Sequence, residues 1–282
     1  MPAKNEEIKK WSLEDVKTSL PKRQSDSHKG SFGTGLLIAG SRDMPGAALL
    51  SGLGAMRSGL GKLVIGTDQE VIPMAVPFLP EATYLRNGLS LAANGQNDWS
   101  QYRAIAVGPG IEPDEETEKA VLQLLLSELP IVLDAGALSK RPYKKRNSPV
   151  ILTPHPAEFS RISGIPVDEV QANRASHAKN FAMEMDVCVV LKGKETITAF
   201  PDGELYKNPS GNSALAKGGT GDVLTGMILG MLCCHGNWQH AVLNAVYLHG
   251  ACADKWTKKR SSHTLLAHEL AGLLPEVWKS FE

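Results

Sequence analysis

The sharpest chemical signal in this 282-residue chain is Lys217-Gly218-Gly219-Thr220-Gly221-Asp222, followed at once by the apolar run from Val223 to Cys234. Three glycines in four positions let the backbone turn several N–H groups one way. A helix beginning there adds its positive N-terminal end. Together they suit a phosphate group or an oxyanion. Asp222 falls in the first turn of that helix, where a carboxylate can act as general base on a substrate hydroxyl. A Gly-rich turn with Asp222 as a simple N-cap or first-turn acid accounts for the same residues. The motif alone does not separate the two readings.

Other chemistry-bearing residues stand where short apolar runs stop. His155 lies between Pro154 and Pro156, with Glu158 three residues on. A helix starting at Pro156 would put both on one face; otherwise they are a turn histidine and a surface acid. Lys192, Lys194 and Thr196 surround Gly193, and either contact phosphates or a ribose or form a solvated turn. Asp134 is either a ligand of metal-bound water or a structural cap. Met44-Pro45-Gly46-Ala47-Ala48 either brings backbone to a ligand or only starts a helix. Two common nucleotide motifs are missing. Gly211 to Lys217 comes nearest to GxxxxGK[ST], but Ala216 replaces the second glycine and Gly218 the hydroxyl residue. No GxGxxG follows the first strand.

These residues need a frame. Leu36 to Ala39, Leu63 to Ile65, Ala104 to Val107, Ile131 to Leu133, Val150 to Leu152 and Val187 to Leu191 read as strands. A hairpin is expected between 196–200 and 204–206 through Pro201-Asp202-Gly203. Helical patterns cover 45–59, 115–129, 167–185 and about 222–234, 239–256 and 264–281. Near-continuous Val/Ile/Leu strands separated by helices indicate an α/β fold with a mainly parallel sheet covered on both faces. Ligands of such sheets lie beyond the carboxyl ends of the strands. Here those ends carry Gly40-Ser41, Gly108-Pro109-Gly110, Asp134-Ala135-Gly136, Thr153-Pro154-His155-Pro156 and Lys192-Gly193. One such turn means little, but five on one edge point to a binding cleft. Residues 1–27 are expected to be a loosely attached polar lead-in with one short helix at 12–20. One domain is expected over 28–282.

Composition narrows the function. With 30 Lys+Arg against 30 Asp+Glu, the formal net charge is zero. That removes the global footprint of a nucleic-acid binder and any polybasic membrane tail. Cys188, Cys233, Cys234 and Cys252 form no CxxC pair, so buried reduced thiols are expected rather than a structural zinc site. The N-terminus has no apolar signal core, and the run from Val223 to Cys234 is too short for a membrane span. A cytoplasmic location is the default expectation.

Several segments together resemble the ADP-dependent NAD(P)H-hydrate dehydratase family. They are HKGSFGTGLLIAGS (28–41), MPGAALLSGLGAMRSGLG (44–61), VGPG (107–110), LDAGAL (133–138), LTPHPAEF (152–159), LKG (191–193), GNSALAKGGTGDVLTG (211–226), AVYLHGACADKW (245–256) and LLAHEL (265–270). The likeness covers residues 28–282 and implies a ribokinase-like fold. It implies repair of nicotinamide cofactors: the S epimer of NADH or NADPH hydrate loses water at the expense of ADP or ATP, with Mg²⁺. With ADP, AMP and phosphate are released. By motif, Ala47, Gly110, His155 and Asp222 would contact the hydrate. Lys192, Gly193, Lys194, Glu195, Thr196, Gly218, Gly219, Thr220 and Gly221 would contact the nucleotide, and Glu158 would orient hydrated Mg²⁺. Asp222 would be the catalytic base. The resemblance also implies a homotetramer, with any epimerase a separate protein acting on the same substrate pool.

His155 stands where sugar kinases of this superfamily carry the Asn of an NxxE pattern, which favours dehydratase. The chain departs from the family at 212–217, where many members have GMA and a small residue. A kinase for a vitamin precursor and a non-catalytic adenine-nucleotide sensor are the competing readings.

Overall fold

A computed structural model describes residues 8–282 except 96, 144 and 145; the first seven residues of the lead-in thus lie outside the described residues. Among the described residues, ten strands form one sheet. They are β1 (Lys9–Lys10), β2 (Thr34–Ile38), β3 (Lys62–Thr67), β4 (Thr83–Arg86), β5 (Ala104–Val107), β6 (Ile131–Leu133), β7 (Val150–Leu152), β8 (Cys188–Leu191), β9 (Ile197–Ala199) and β10 (Leu205–Lys207). Their order is β1-β10-β9-β8-β7-β6-β5-β2-β3-β4. Every pairing is parallel except those of β9, which is antiparallel to β8 and β10. The expected hairpin forms across Pro201-Asp202-Gly203.

The helices are α1 (Leu13–Ser19), α2 (Pro45–Arg57), α3 (Ile72–Ala75), α4 (Gly88–Ala93), α5 (Glu115–Leu124), α6 (Pro156–Ser163), α7 (Val167–Ala172), α8 (Arg174–Met185), α9 (Thr220–Cys234), α10 (Trp238–Thr257) and α11 (Ala267–Lys279). They cover both faces of the sheet. Successive strand residues point to opposite faces, so each strand feeds two cores. Leu37, Ala104, Ala106, Val132, Ile151 and Val190 pack with α9 and α10, while Leu36, Ile105, Ile131, Val150 and Val189 pack against α5, α6 and α8.

Three expectations need correction. The lead-in is not loose: Trp11, Val16 and Leu20 are buried in the core, β1 pairs with β10, and Trp11 Nε1 donates to Asn244 Oδ1 of α10 at 2.9 Å. Sparse apolar residues on one side of a polar segment suffice to dock it. The helix expected over 167–185 breaks at Asn173 (φ −135°, ψ 44°) into α7 and α8. The one expected over 115–129 ends at Leu124. Edge strand β4 and helix α4 carry too little apolar sequence to have been expected. No described helix is long and apolar enough to cross a membrane.

What places the site is the contact between α2 and α9. Gly219 lies against Leu50, Gly54 against Val223, and Gly230 against Ala55 and Ser58. The residue numbers rise together, so the two helices run in the same direction. Because α2 leaves the carboxyl end of β2, the N-terminus of α9 reaches the same sheet edge. The approach is backbone to backbone: a Cβ on Gly226 would overlap the Ser51 carbonyl, and one on Gly54 the Val223 carbonyl. We therefore expect Gly226→Ala to lower unfolding stability by about 3 kcal/mol in urea titration, the cost of overpacking a rigid contact. Gly272→Ala, on α11 with open space around it, should instead raise stability by about 0.5–1 kcal/mol through helix propensity. Equal effects at the two positions would contradict the packing.

Candidate active site

The carboxyl ends of the strands are stitched together. Gly40 N–H donates to Pro109 O at 2.8 Å, Asp134 N–H to Val107 O at 3.1 Å, Thr153 N–H to Leu133 O at 3.1 Å and Lys192 N–H to Pro154 O at 2.9 Å. On this edge Gly110 adopts φ +65°, and a Cβ there would stand 2.5 Å from the Ala47 methyl in the first turn of α2. Ala47 and Gly110 are thus neighbours on this edge. Helix α6 does begin at Pro156, with His155 as its N-cap: Glu158 N–H donates to His155 Nδ1 at 3.2 Å, and His155 N–H to Glu158 Oε2 at 2.7 Å. The His155 ring is half exposed, whereas the Glu158 side chain is only 14% exposed.

Helix α9 is capped by Gly219 at φ +86°, a backbone state that favours glycine. Gly218 has open space around it. Thr220 closes the loop by donating from Oγ1 to Leu215 O and Lys217 O, both at 2.9 Å. Its own carbonyl accepts from His249 Nε2 of α10 at 2.9 Å. Burial pushes the His249 pKa down to about 4, so the ring is neutral and its proton sits on Nε2.

Asp222 follows Gly221 in the first turn of α9 and joins a cluster of charges. Asp134, at the end of β6, is 1% exposed. Its Oδ1 accepts from Lys192 Nζ at 2.9 Å and its Oδ2 from Thr225 Oγ1 at 2.7 Å, one turn beyond Asp222. Lys192 Nζ also lies 3.8 Å from Glu158 Oε2. Burial alone would lower the Lys192 pKa, but Asp134, Glu158 and Asp222 hold it above its ordinary value. For Asp222, burial and then the Asp134 charge raise the pKa to about 7; Lys192 opposes and Glu158 adds to the rise. A base poised near neutrality matches what proton transfer at neutral pH requires.

Next to this cluster a cavity of about 650 Å³ opens. Lys192, Gly193, Lys194, Glu195, Thr196, Thr220 and Gly221, which the resemblance assigns to the nucleotide, are brought together in its lining. Gly218 and Gly219 do not line it; they form and cap the turn behind. The other wall is new: Asn208, Asn212, Leu215, Leu224, Val246 and His249. Three separate segments supply these residues, so no single spacing announces the wall. Lys192 joins the two parts of the site, its Nζ 3.3 Å from where a Cβ on Gly221 would stand. Among the described residues no group of three or more His, Cys, Asp or Glu is arranged to hold a metal ion directly.

The sheet order, the glycine-capped helix at the strand ends and the cavity beside it define a ribokinase-like α/β protein. The fold matches a ribokinase-like superfamily protein of Enterococcus faecalis with a TM-score of 0.83 and 26% identity, over 97% of this chain and 96% of that one. Within that class the chain belongs to the NAD(P)H-hydrate dehydratase family, which matches residues 35–276. It is 62% identical over 272 residues, 96% of this chain and 98% of the relative, to the ADP-dependent (S)-NAD(P)H-hydrate dehydratase of Bacillus subtilis. A crystal structure of the ADP/ATP-dependent enzyme from that organism, co-crystallised with ATP/Mg²⁺, superposes with a TM-score of 0.96 at 61% identity, covering 98% of this chain and 99% of that one. The chain spans about half the length of the bifunctional NAD(P)H-hydrate repair enzymes it also matches, such as that of Moorella thermoacetica, at 31% identity, 94% of this chain and 53% of the relative.

The raised Asp222 pKa has a stability consequence. An unfolded aspartate ionises near pH 4, whereas the folded one holds its proton to about 7. Protonation therefore favours the folded state; the contribution is full below pH 4 and is lost as pH rises through 7. Wild-type thermal stability should fall between pH 5 and 8 relative to Asp222→Asn, which carries no such charge. Parallel melting curves for the two proteins across that range would contradict the burial of this carboxylate.

Proposed function

We propose that the chain dehydrates the S epimer of NADH or NADPH hydrate back to the reduced cofactor, with ADP as phosphoryl donor and AMP and phosphate as products. The observation that carries this reading is Asp222: a carboxylate with a pKa near 7, one residue past the cavity-lining Gly221 and beside the Asp134–Lys192 pair. The names of the relatives support the substrate and the nucleotide.

A ring hydroxyl is a poor leaving group, and phosphorylation makes it a good one. Asp222 takes the hydroxyl proton as the oxygen attacks the terminal phosphorus of ADP; the bond from that phosphorus to the bridging oxygen breaks and AMP departs. Positioning and charge stabilisation do most of the work in such a transfer. The Gly221 N–H and the positive end of α9 hold the phosphoryl group in transit, while Gly218 and Gly219 form and cap the turn that sets them there. Lys192, Gly193, Lys194, Glu195 and Thr196 hold the nucleotide, with the Lys192 ammonium reaching toward Gly221 and the phosphates. Ala47, Gly110 and His155 border the hydrate. The ring nitrogen lone pair then expels phosphate, and loss of the neighbouring ring proton restores the double bond.

The residues fit a hydrated Mg²⁺ better than a directly ligated one. Both Asp134 oxygens are taken by Lys192 and Thr225, and Glu158 supplies one hard carboxylate close by. A magnesium ion that keeps most of its waters needs few protein ligands. It would neutralise phosphate charge, with Glu158 orienting its waters. We further propose a homotetramer in the cytoplasm that receives the S epimer from a separate epimerase.

Asp222→Asn keeps the shape of the side chain and removes the base. We expect turnover to fall about 10²–10⁴-fold, while ADP binding measured by calorimetry stays within a few-fold of wild type. Retention of a large fraction of turnover would remove Asp222 from the base role.

A further inference from the structure

Behind the turn that lines the nucleotide cavity stands a residue with no part in the site as described so far. Arg174 is the first residue of α8, just past the break at Asn173. Its Nη1 donates to Lys194 O at 2.6 Å, and its Nη2 to Leu191 O at 2.8 Å and Lys192 O at 3.2 Å. Three carbonyls of one short turn thus converge on a single guanidinium. The fit is close: a Cβ on Gly193, whose φ is +142°, would stand 2.9 Å from Nη2. Arg174 does not line the cavity, so it grips the turn from the far side.

Peptide geometry then fixes what faces the cavity. In a trans peptide the C=O of one residue and the N–H of the next point in opposite directions. With the Lys192 and Lys194 carbonyls turned to Arg174, the N–H groups of Gly193 and Glu195 point away from it, on the side where both residues line the cavity. Neither N–H has a partner among the described residues. Glu195 holds the turn in a left-handed state, φ +52°, that a non-glycine residue seldom adopts unaided. Arg174 forms no ion pair among the described residues, and its Nε is buried without a partner. A guanidinium behind two outward N–H groups is a positive backing for an anion on the cavity side.

We propose that Arg174 is a positioning residue for the nucleotide: by gripping the Leu191, Lys192 and Lys194 carbonyls it aims the Gly193 and Glu195 N–H groups at the phosphates. The inference rests on the reading of this cavity as the ADP site.

Its test is calorimetric titration of ADP into wild type, Arg174→Lys and Arg174→Met, with steady-state kinetics and ligand-free melting curves alongside. Lysine keeps the charge but cannot reach three carbonyls at once; methionine keeps only the stem. We expect the ADP dissociation constant to rise about tenfold in Arg174→Lys and further in Arg174→Met, as loss of charge-assisted hydrogen bonds implies. The larger share of the kinetic loss should fall in KM for ADP rather than in kcat. A merely structural role would lower the melting temperature without that split. If Arg174→Met does not fold, Arg174→Lys carries the test. Unaltered ADP affinity in a folded Arg174→Lys overturns the inference while leaving the site intact. A wild-type protein that does not bind ADP overturns the functional reading, and the inference with it.

Discussion

Helix α9 reaches the carboxyl edge of the sheet because it lies backbone to backbone against α2. Ordinary side chains keep packed helices 8–10 Å apart. Gly54 on one helix and Gly226 and Gly230 on the other remove them at the contact, and β5 presents only Ala104 and Ala106 beneath. Glycine inside a helix costs about 1 kcal/mol, so these residues weaken α2 and α9 as isolated helices while letting them approach. The bond from Thr225 Oγ1 to Asp134 Oδ2 then locks the second turn of α9 against the end of β6. A bulkier contact would carry Asp222 away from both Asp134 and Lys192.

That placement sets the electrostatics. Three carboxylates, Asp134, Glu158 and Asp222, share the single ammonium of Lys192, which sits closest to Asp134. Both Asp134 oxygens accept direct hydrogen bonds, from Lys192 and Thr225, whereas burial and then the neighbouring Asp134 raise the Asp222 pKa. A proton acceptor near neutrality is the result. The site thus has two halves meeting at Gly221: a cavity walled by the Lys192–Thr196 turn, and a strand edge bearing the acids, Ala47, Gly110 and His155.

Much of this arrangement is legible in the sequence. Strands β5 to β8 are buried on both faces, which demands unbroken apolar residues and makes them readable. Their ends carry Gly, Pro and polar residues because the chain must turn there, and the candidate site is built on the same turns. The Lys217–Asp222 run declares itself through local backbone chemistry. What escapes notice depends on contacts distant in sequence. Edge strand β4, Thr83–Arg86, has no exceptional apolar content. Trp11 has meaning only beside Asn244. Asn212 and His249 reach the cavity from segments whose meeting no spacing announces, and Arg174 reads as an ordinary helix residue until three carbonyls are found on it. Resemblance to a family supplies site residues but not these supports.

The most direct measurement is near-ultraviolet absorbance of hydrated NADH mixed with the purified protein and Mg²⁺, with ADP, with ATP and with no nucleotide. Recovery of the reduced-nicotinamide band with ADP, and none without nucleotide, is the expected result. No recovery with either nucleotide, from protein that binds ADP in a separate titration, would contradict the dehydratase reading. The same cavity would then serve a kinase acting on another small alcohol, or a nucleotide sensor.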